Sequence, residues 1–267
     1  MRPPCTGSAN AGDRRVMLRI EKLSIAFGGV EALAGLDLEV PAGTVLGLIG
    51  PNGSGKTTLF NVLTGVYPAD TGRIYLRDSE ISRCKTEQIV RLGVARTFQN
   101  LRLYRRMTVF DNVRVAQHSL PGTHFAQGLL GRSPQENQRR EAVRQMLELT
   151  GLSEQADQLA GGLPLPLQRR LELARALIRQ PDLLLLDEPA GGMTPAETSA
   201  MADLIHKVAS PDRTMIVIEH KMELLSDLCQ RMCVLNFGRK IAEGEPRQVL
   251  EHPDVLEAYL GRSPSGA

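Results

Sequence analysis

Several kinds of residue are scarce in this chain, and each scarcity excludes a class of protein. There is no Trp, and there are only 6 Phe and 4 Tyr, which is too few for a platform on which nucleic-acid bases stack. The formal net charge is only +2, whereas a protein that coats nucleic acid is strongly basic. We therefore expect no nucleic acid among its partners.

Long apolar runs are also missing. The longest candidates, Val45–Ile49 and Leu183–Leu186, are far shorter than the ~18 residues that a membrane-spanning helix needs.

The cysteines, which form no CxxC pair and have no His at ligand spacing, argue against a zinc site. They are Cys5, Cys84, Cys229 and Cys233. Residues 1–15 are polar and lack the apolar centre of a secretory signal, so we expect a flexible lead-in there.

Short apolar runs alternate with longer stretches of helical pattern along the 267 residues. The apolar runs cluster before residue 100 and after residue 180, whereas residues 101–180 have a mostly helical pattern. This order predicts an α/β core interrupted by a helical subdomain, with a surface loop over His118–Ser133. The predicted strands are Val16–Ile20, Leu36–Val40, Val45–Ile49, Arg73–Leu76, Leu183–Leu186, Met215–Ile218 and Met232–Leu235. The predicted helices are Lys56–Thr64, Glu87–Leu92, Thr108–Gln117, Pro134–Thr150, Gln168–Arg179, Pro195–Val208 and Val255–Leu260.

One glycine-rich stretch predicts a phosphate-binding loop. Residues 50–58 have the sequence GPNGSGKTT, which matches G-x-x-x-x-G-K-T and lies between an apolar strand and a predicted helix, as the motif requires. Glycines let backbone N–H groups turn toward an anion, and the helix N-terminus adds a partial positive charge. The Lys56 ammonium can reach the β- and γ-phosphates, and the Thr57 hydroxyl can bind Mg²⁺. The predicted triphosphate-binding residues are Gly50, Pro51, Asn52, Gly53, Ser54, Gly55, Lys56, Thr57 and Thr58.

Acidic residues follow the leucine run Leu183–Leu186 directly. Because the predicted strand is buried and parallel, Asp187 and Glu188 are expected at the carboxyl edge of the sheet, beside the phosphate loop. Asp187 can hold Mg²⁺, and Glu188 can polarise a water in line with the γ-phosphorus. His220 follows another buried strand and can hydrogen-bond a γ-phosphate. The string N-K-x-D, which binds guanine in GTPases, and the string D-x-x-G of their switch do not occur.

Taken in chain order, these motifs resemble the ATP-binding subunit of an ABC transporter. The strings are GPNGSGKTT, RTFQN, QRRLELARAL, LLLLDEP and IEH, and the resemblance covers about residues 16–262. It implies an α/β P-loop NTPase fold, the ABC nucleotide-binding domain, with a RecA-like core, an antiparallel β subdomain and a helical subdomain. The helical subdomain spans about residues 101–180 and faces a membrane partner. Residues 1–15 and the tail 263–267 lie outside this domain.

The resemblance also implies roles for individual residues. Residues 50–58 form a Walker A loop that binds ATP, and Phe27 stacks on the adenine ring. Gln99 belongs to the Q-loop, Asp187 ends the Walker B strand, and His220 is the switch histidine. The implied catalytic residues are Glu188, His220 and Gln99, and the implied Mg²⁺ ligands are Thr57, Gln99 and Asp187.

Longer strings resemble one subfamily, the ATPases of importers for branched-chain amino acids. They are FGGVEAL, LTGVYPADTG, ARTFQNLRLYRRMTVFDNV, DEPAGGMTPAE and VLEAYLG. The resemblance implies a subunit that hydrolyses ATP to drive uptake of Leu, Ile and Val, on the cytoplasmic face of the bacterial inner membrane. The implied partners are a second ABC ATPase in a heterodimer, two transmembrane permeases and, indirectly, a solute-binding protein. The alternatives are an ATPase for urea, short amides or lipopolysaccharide export, a soluble non-transport ABC ATPase, and a catalytically silent ATP-dependent regulator.

The chain departs from the family at the signature loop, which has the form LSGGQ and closes over ATP bound to the other subunit. Here LPLPL precedes Gln168, so Pro164 replaces the Ser and Pro166 the second Gly. Proline has no N–H, and we expect at least one phosphate donor to be lost. Either the chain pairs with a different ATPase that supplies an intact signature, or Pro166 is an inactivating or engineered change. Thr194 also stands where many ABC proteins have Asp.

The basic pairs Arg105–Arg106, Arg139–Arg140 and Arg169–Arg170 predict solvated helix faces. The first pair lies just after Gln99, where the family docks on its permease. A coupling role is therefore a second interpretation of Arg105 and Arg106.

Overall fold

The computed structural model describes residues 16–117, 134–209 and 213–260. The predicted loop His118–Ser133, the lead-in 1–15 and the tail 263–267 lie outside these residues. The strands are β1 (Val16–Phe27), β2 (Val30–Pro41), β3 (Val45–Ile49), β4 (Thr71–Leu76), β5 (Ser79–Glu80), β6 (Val94–Arg96), β7 (Leu183–Asp187), β8 (Thr214–Ile218), β9 (Arg231–Asn236) and β10 (Arg239–Gly244). The α-helices are α1 (Lys56–Leu63), α2 (Thr86–Arg91), α3 (Val109–Gln117), α4 (Pro134–Leu149), α5 (Leu165–Leu177), α6 (Pro195–Ala209), α7 (Met222–Leu228), α8 (Pro246–Leu250) and α9 (Pro253–Leu260).

The larger sheet has the strand order β10-β9-β3-β8-β7-β6 and is parallel except for β10. Every residue of β3, β7 and β8 is buried, which explains why these segments are apolar without alternation. In β3, Leu46 and Leu48 pack into the core on one face, whereas Val45 and Ile49 pack into the core on the other. Only β8 separates β3 from β7, so the carboxyl ends of both strands meet at one edge.

The smaller sheet is antiparallel, with the order β2-β1-β4-β5. Its apolar face shares one core with the larger sheet, in which Leu18 and Leu33 pack with Leu46 and Phe60. The strands β1 and β2 extend beyond the predicted runs because irregular register, with Lys22 at a φ of 46°, interrupts the alternation on which the prediction depended.

Between β6 and β7, the described residues form helices and short turns rather than strands. α3, α4 and α5 pack around a core of their own that includes Val113, Val143 and Leu171. α5 begins at Leu165, earlier than the predicted start at Gln168, because a proline fits the first turn of a helix, where its missing N–H is no loss. This separate core is what we expect of a subdomain inserted into the α/β core.

The predicted elements do not include β5, β6, β10, α7 or α8. α7 has only seven residues, which is too short for a helical pattern to stand out. β10 has the sequence RKIAEG on the edge of the sheet, and polar residues are usual on an edge strand. No helix among the described residues is both long and apolar enough to cross a membrane.

Candidate active site

The loop that connects β3 to α1 depends on glycine. Gly50, Gly53 and Gly55 have positive φ angles of 147°, 78° and 106°, which side-chain-bearing residues rarely adopt. A Cβ at Gly50 would lie 2.0 Å from the carbonyl oxygen of Leu235, and one at Gly55 would lie 2.5 Å from that of Ala32. These two positions therefore exclude any side chain for reasons of both backbone conformation and space.

Lys56, the first residue of α1, is buried beneath this loop. Its Nζ donates hydrogen bonds to the carbonyl oxygens of Gly50 at 2.7 Å and Pro51 at 2.9 Å. Burial lowers the pKa of Lys56, and the negative charges of Glu188 and Asp187 oppose that shift. The ammonium group thus lies in the electrostatic field of both carboxylates at the end of β7.

Asp187 is held by two residues from the end of β6 and just beyond it. Its Oδ2 accepts a hydrogen bond from Nη2 of Arg96 at 2.7 Å, and its backbone N–H donates to Oγ1 of Thr97 at 3.1 Å. Nη1 of Arg96 also donates to Oδ1 of Asn61 in α1, at 2.7 Å. The ion pair is almost fully buried, with side-chain exposures of 6% for Arg96 and 5% for Asp187. The sequence analysis missed Arg96 and Thr97, although both belong to the RTFQN string that contains Gln99.

Glu188 collects the other predicted catalytic residues. Nε2 of Gln99 donates to its Oε2 at 3.1 Å, and Nε2 of His220 lies 3.1 Å from its Oε1. Glu188 has a φ of 49°, a conformation that costs a non-glycine residue about 1–3 kcal/mol and occurs most often at functional sites. Its N–H donates to the carbonyl oxygen of Ile218 at 2.9 Å, so β8 holds the strained residue in place.

The comparisons with known proteins decide the family. The family model "ABC transporter" matches residues 33–191, and "Branched-chain amino acid ATP-binding cassette transporter" matches residues 239–264. The chain is 42% identical to the high-affinity branched-chain amino acid transport ATP-binding protein LivG of Escherichia coli K12, over 92% of this chain and 98% of LivG. It is equally identical to BraF of Pseudomonas aeruginosa, over 93% of this chain and 99% of BraF. The chain belongs to the ABC transporter family.

Solved structures agree with this family. A nucleotide-free ATP-binding cassette from an ABC transporter superposes with a TM-score of 0.81 at 32% identity, over 92% of this chain and 100% of that one. An ABC cassette in its ADP conformation gives a TM-score of 0.80 at 31% identity, over 92% and 99%. The fold class and the family predicted from the motifs are confirmed. The chain is accordingly the ATPase subunit of a transporter complex that includes membrane permeases.

Directly before His220 lies an acidic residue that the sequence analysis did not single out. Glu219 is buried, and its two carboxylate oxygens accept hydrogen bonds from the N–H groups of Ala190 and His220, at 2.8 and 3.0 Å. Lys221 donates to the carbonyl oxygens of Ala190 and Met193, at 3.3 and 3.0 Å. The loop after β7 is thereby joined to the segment after β8.

α5 of the helical subdomain is hydrogen-bonded to the backbone of Phe98, the residue before Gln99. Nη1 of Arg169 donates to the carbonyl oxygen of Phe98, and the N–H of Phe98 donates to Oε1 of Glu172, both at 3.1 Å. Burial raises the pKa of Glu172, while the Phe98 N–H and Arg169 counteract the shift. Arg169 is buried, so the predicted solvated face is wrong for this residue, because its guanidinium satisfies a carbonyl inside the protein.

The N-terminus of α5 contains the residues that the sequence analysis aligned with the ABC signature loop. Pro164 is the N-cap residue and Pro166 lies in the first turn. The N–H of Gln168 donates to the carbonyl oxygen of Pro164 at 3.0 Å, as in a normal helix start. Leu165 is exposed. A phosphate that approaches this helix end therefore meets an exposed leucine and finds no N–H on Pro166.

The remaining predicted ligands are exposed or half-buried residues at the start of α1 and the end of β1. Thr57, the second residue of α1, is exposed, and Thr58 is half-buried. Phe27, at the end of β1, is 44% exposed, and its ring meets the ring of Tyr67 edge-on with centroids 5.2 Å apart. Phe27 pairs with Val30 at the start of β2, and β2 continues to the carbonyl that lies against Gly55.

Proposed function

We propose that this chain hydrolyses ATP at residues 50–58 and that the hydrolysis drives import of branched-chain amino acids. The hydrolytic part rests on the hydrogen bonds that join Gln99 and His220 to the Glu188 carboxylate. Glu188 follows Asp187 in the chain and lies in the electrostatic field of the buried Lys56. The amino-acid part is supported by the names of the relatives, which are branched-chain amino acid transport ATP-binding proteins.

ATP binding follows from the phosphate loop. Backbone N–H groups of residues 52–58 and the N-terminus of α1 stabilise the negative charge of the triphosphate. Lys56, which is fixed by two carbonyl oxygens of the loop, adds a full positive charge. The exposed ring of Phe27 supplies an apolar face against which the adenine stacks.

Mg²⁺ fits the residues at this edge. Thr57 offers a hydroxyl at the start of α1, and Gln99 offers a side-chain amide. Arg96 engages one oxygen of Asp187, so a carboxylate oxygen remains to ligate the ion directly or through water. When bound, Mg²⁺ supplies neutralisation of charge on the β- and γ-phosphate oxygens.

The hydrolytic step assigns distinct work to three side chains. Glu188 takes a proton from a water while the water oxygen forms a bond to the γ-phosphorus and the bond from that phosphorus to the bridging oxygen breaks. The products are ADP and phosphate. Gln99 and His220 hold one oxygen each of Glu188 and so fix the direction in which its lone pairs point.

A single substitution tests this assignment. Glu188→Gln keeps the shape of the side chain but removes its basicity, so ATP binding should persist while hydrolysis falls about 10²-fold or more. Glu197→Gln, at an exposed carboxylate near the start of α6, is the matched control and should hydrolyse ATP at the wild-type rate. Unchanged turnover in Glu188→Gln would show that another group activates the water.

The cargo is tested in cells. We propose that uptake of labelled Leu, Ile and Val requires this chain and is lost when Lys56→Ala or Glu188→Gln replaces it. A solute-binding protein delivers the amino acid to the permeases. Urea is the control substrate, because related ATPases are expected to serve urea and short amides. Uptake of urea that depends on the chain, with Leu, Ile and Val uptake unaffected, would replace the proposed cargo.

We further propose that two membrane permeases dock at a groove beside the Q-loop, which sets the chain against the cytoplasmic face of the bacterial inner membrane. The groove has a volume of about 590 Å³ and is lined in part by Phe98, Leu103 and Tyr104. A permease bound in this groove would contact Phe98 and so displace the neighbouring Gln99. The backbone of Phe98 is hydrogen-bonded to α5, so α5 would move with it. Tyr104→Ala should reduce co-purification of the permeases, whereas Val30→Ala, at an exposed apolar residue outside the groove, should not.

The partner ATPase is proposed to be a different chain. Removing one preorganised donor from an anionic transition state costs about 3–4 kcal/mol, and the Pro166 position cannot donate. A homodimer would carry this defect at both composite sites, whereas a heterodimer keeps one site intact. The purified chain should therefore bind ATP but hydrolyse it slowly until the partner ATPase is added. Equal turnover per chain with and without the partner would contradict the heterodimer.

A further inference from the structure

The C-terminal helix α9 reaches back to the phosphate loop. Val255 anchors α9 by packing into the core that also contains Val234 of β9. Near the end of this helix, the hydroxyl oxygen of Tyr259 accepts a hydrogen bond from the backbone N–H of Gly50 at 2.8 Å. Tyr259 lies within residues 239–264, the stretch matched by the second family model. A segment far from the catalytic motifs in sequence thus contacts the first residue of the loop.

Both backbone polar groups of Gly50 are hydrogen-bonded, and the space beside its Cα is filled. Its carbonyl oxygen accepts the hydrogen bond from Nζ of Lys56 at 2.7 Å, and Leu235 of β9 closes the space where a side chain would be. Tyr259 supplies the acceptor for its N–H. A change in the backbone dihedral angles of Gly50 would therefore displace the carbonyl oxygen to which Lys56 donates.

Tyr259 is suited to this contact because it stays neutral. Burial raises the pKa of Tyr259, and the hydrogen bond from Gly50 opposes the shift only in part. The hydroxyl keeps its proton at neutral pH and accepts the Gly50 N–H through a lone pair. Its side chain is still 42% exposed, so the contact lies near the surface rather than in the core.

We propose that Tyr259 is a positioning residue that preorganises the phosphate loop for ATP, an inference that rests on the proposed ATP site. Without its hydroxyl, the unliganded loop spends part of its time in conformations that cannot take the triphosphate. The apparent Kd rises as the inverse of the competent fraction. Once ATP is bound, the phosphates themselves hold the loop, so the hydrolytic step proceeds at its normal rate.

The test measures the Kd for ATP by titration of the full chain, and KM and kcat in the same preparations. Tyr259→Phe removes only the oxygen and should raise the Kd and KM about fivefold, the size expected for one hydrogen bond, with kcat within about twofold. Tyr259→Leu, which also removes the ring, should raise them at least as much. Leu256→Ala is the control on the same helix, since Leu256 is 46% exposed, and should match the wild type.

Three outcomes would overturn the inference. One is a Kd of Tyr259→Phe equal to that of the wild type, and another is a lower kcat at unchanged Kd. The third is weaker binding in Tyr259→Leu alone, which would assign the effect to ring packing. A wild-type chain that does not bind ATP would overturn the proposed function itself and this inference with it.

Discussion

Arg96 should be one of the most sensitive positions in the protein, because it forms a buried ion pair with Asp187. Its guanidinium also lies over the rings of Phe60 and Phe98, 5.3 and 5.1 Å from their centroids. Arg96→Met keeps an unbranched apolar chain between the rings but leaves Asp187 as an uncompensated buried charge. Removing one partner of a buried pair costs about 3–5 kcal/mol, so the free energy of unfolding should fall by that amount.

Arg77 provides the matched control. Its Nη2 lies 2.6 Å from Oδ1 of Asp182, slightly closer than in the buried pair, but the two side chains are 52% and 41% exposed. An exposed pair contributes about 0–1 kcal/mol, so Arg77→Met should change stability little. The contrast between Arg96→Met and Arg77→Met separates the effect of burial from the effect of distance.

Urea denaturation followed by circular dichroism measures both variants. A double-mutant cycle with Asp187→Asn completes the experiment, because the double variant contains no buried charge at this place and should lose less than the sum of the single variants. A loss below about 1 kcal/mol for Arg96→Met, similar to that of the exposed control, would refute the reasoning that burial makes this pair important.

Further predictions concern the signature loop, a helix cap and a buried thiol. Pro166→Gly restores an N–H at the start of α5, and steady-state assays should show at least a tenfold rise in ATP turnover of the chain purified without the partner ATPase; no rise would argue that the loop is not the limiting defect. Thr194→Ala removes the cap of α6, in which Oγ1 of Thr194 accepts from the Glu197 N–H and Glu197 accepts from the Thr194 N–H; thermal unfolding should report a loss of about 1 kcal/mol, and an unchanged melting temperature would contradict it. Burial raises the pKa of Cys229 from 9.0 to about 12, so iodoacetamide should alkylate Cys229 of the native protein only slowly at pH 8.5. Between pH 9 and 12 the unfolded chain releases this proton and the folded chain keeps it, so stability should decrease as the pH rises through that window; rapid alkylation of the native thiol would refute its burial.

The motifs predict which chemical groups are present, but not all of their contacts. The phosphate loop and the acidic pair follow from local sequence because strand, glycines and helix are contiguous there. The bonds that join Gln99 and His220 to Glu188 depend on β6 and β8 lying on either side of β7, and no spacing along the chain gives that order. The sequence analysis therefore named the residues and gave His220 a phosphate to bind, while the structure adds their common attachment to Glu188.

The contacts of charged and polar residues other than the acidic pair were harder to predict. A pair such as Arg169–Arg170 has the pattern of a solvated helix surface, and its burial becomes evident only when the Phe98 carbonyl is known to face it. Arg96 is a lone basic residue at the end of a short strand, so composition gives no sign of its buried partner. Tyr259 is separated from Gly50 by 209 residues, and only the tertiary packing of α9 brings them together.

The Glu219 carboxylate joins two loops, because each of its oxygens accepts a hydrogen bond from a main-chain N–H group of a different loop. The segment that carries Ala190 and the backbone of His220 can shift only as one piece. If a neighbouring ATPase contacts residues 191–194, as the ABC resemblance implies for this loop, a displacement there would pass through Glu219 to His220. The imidazole of His220 lies beside Glu188. Assembly of the two ATPases and positioning of His220 beside Glu188 would then occur together.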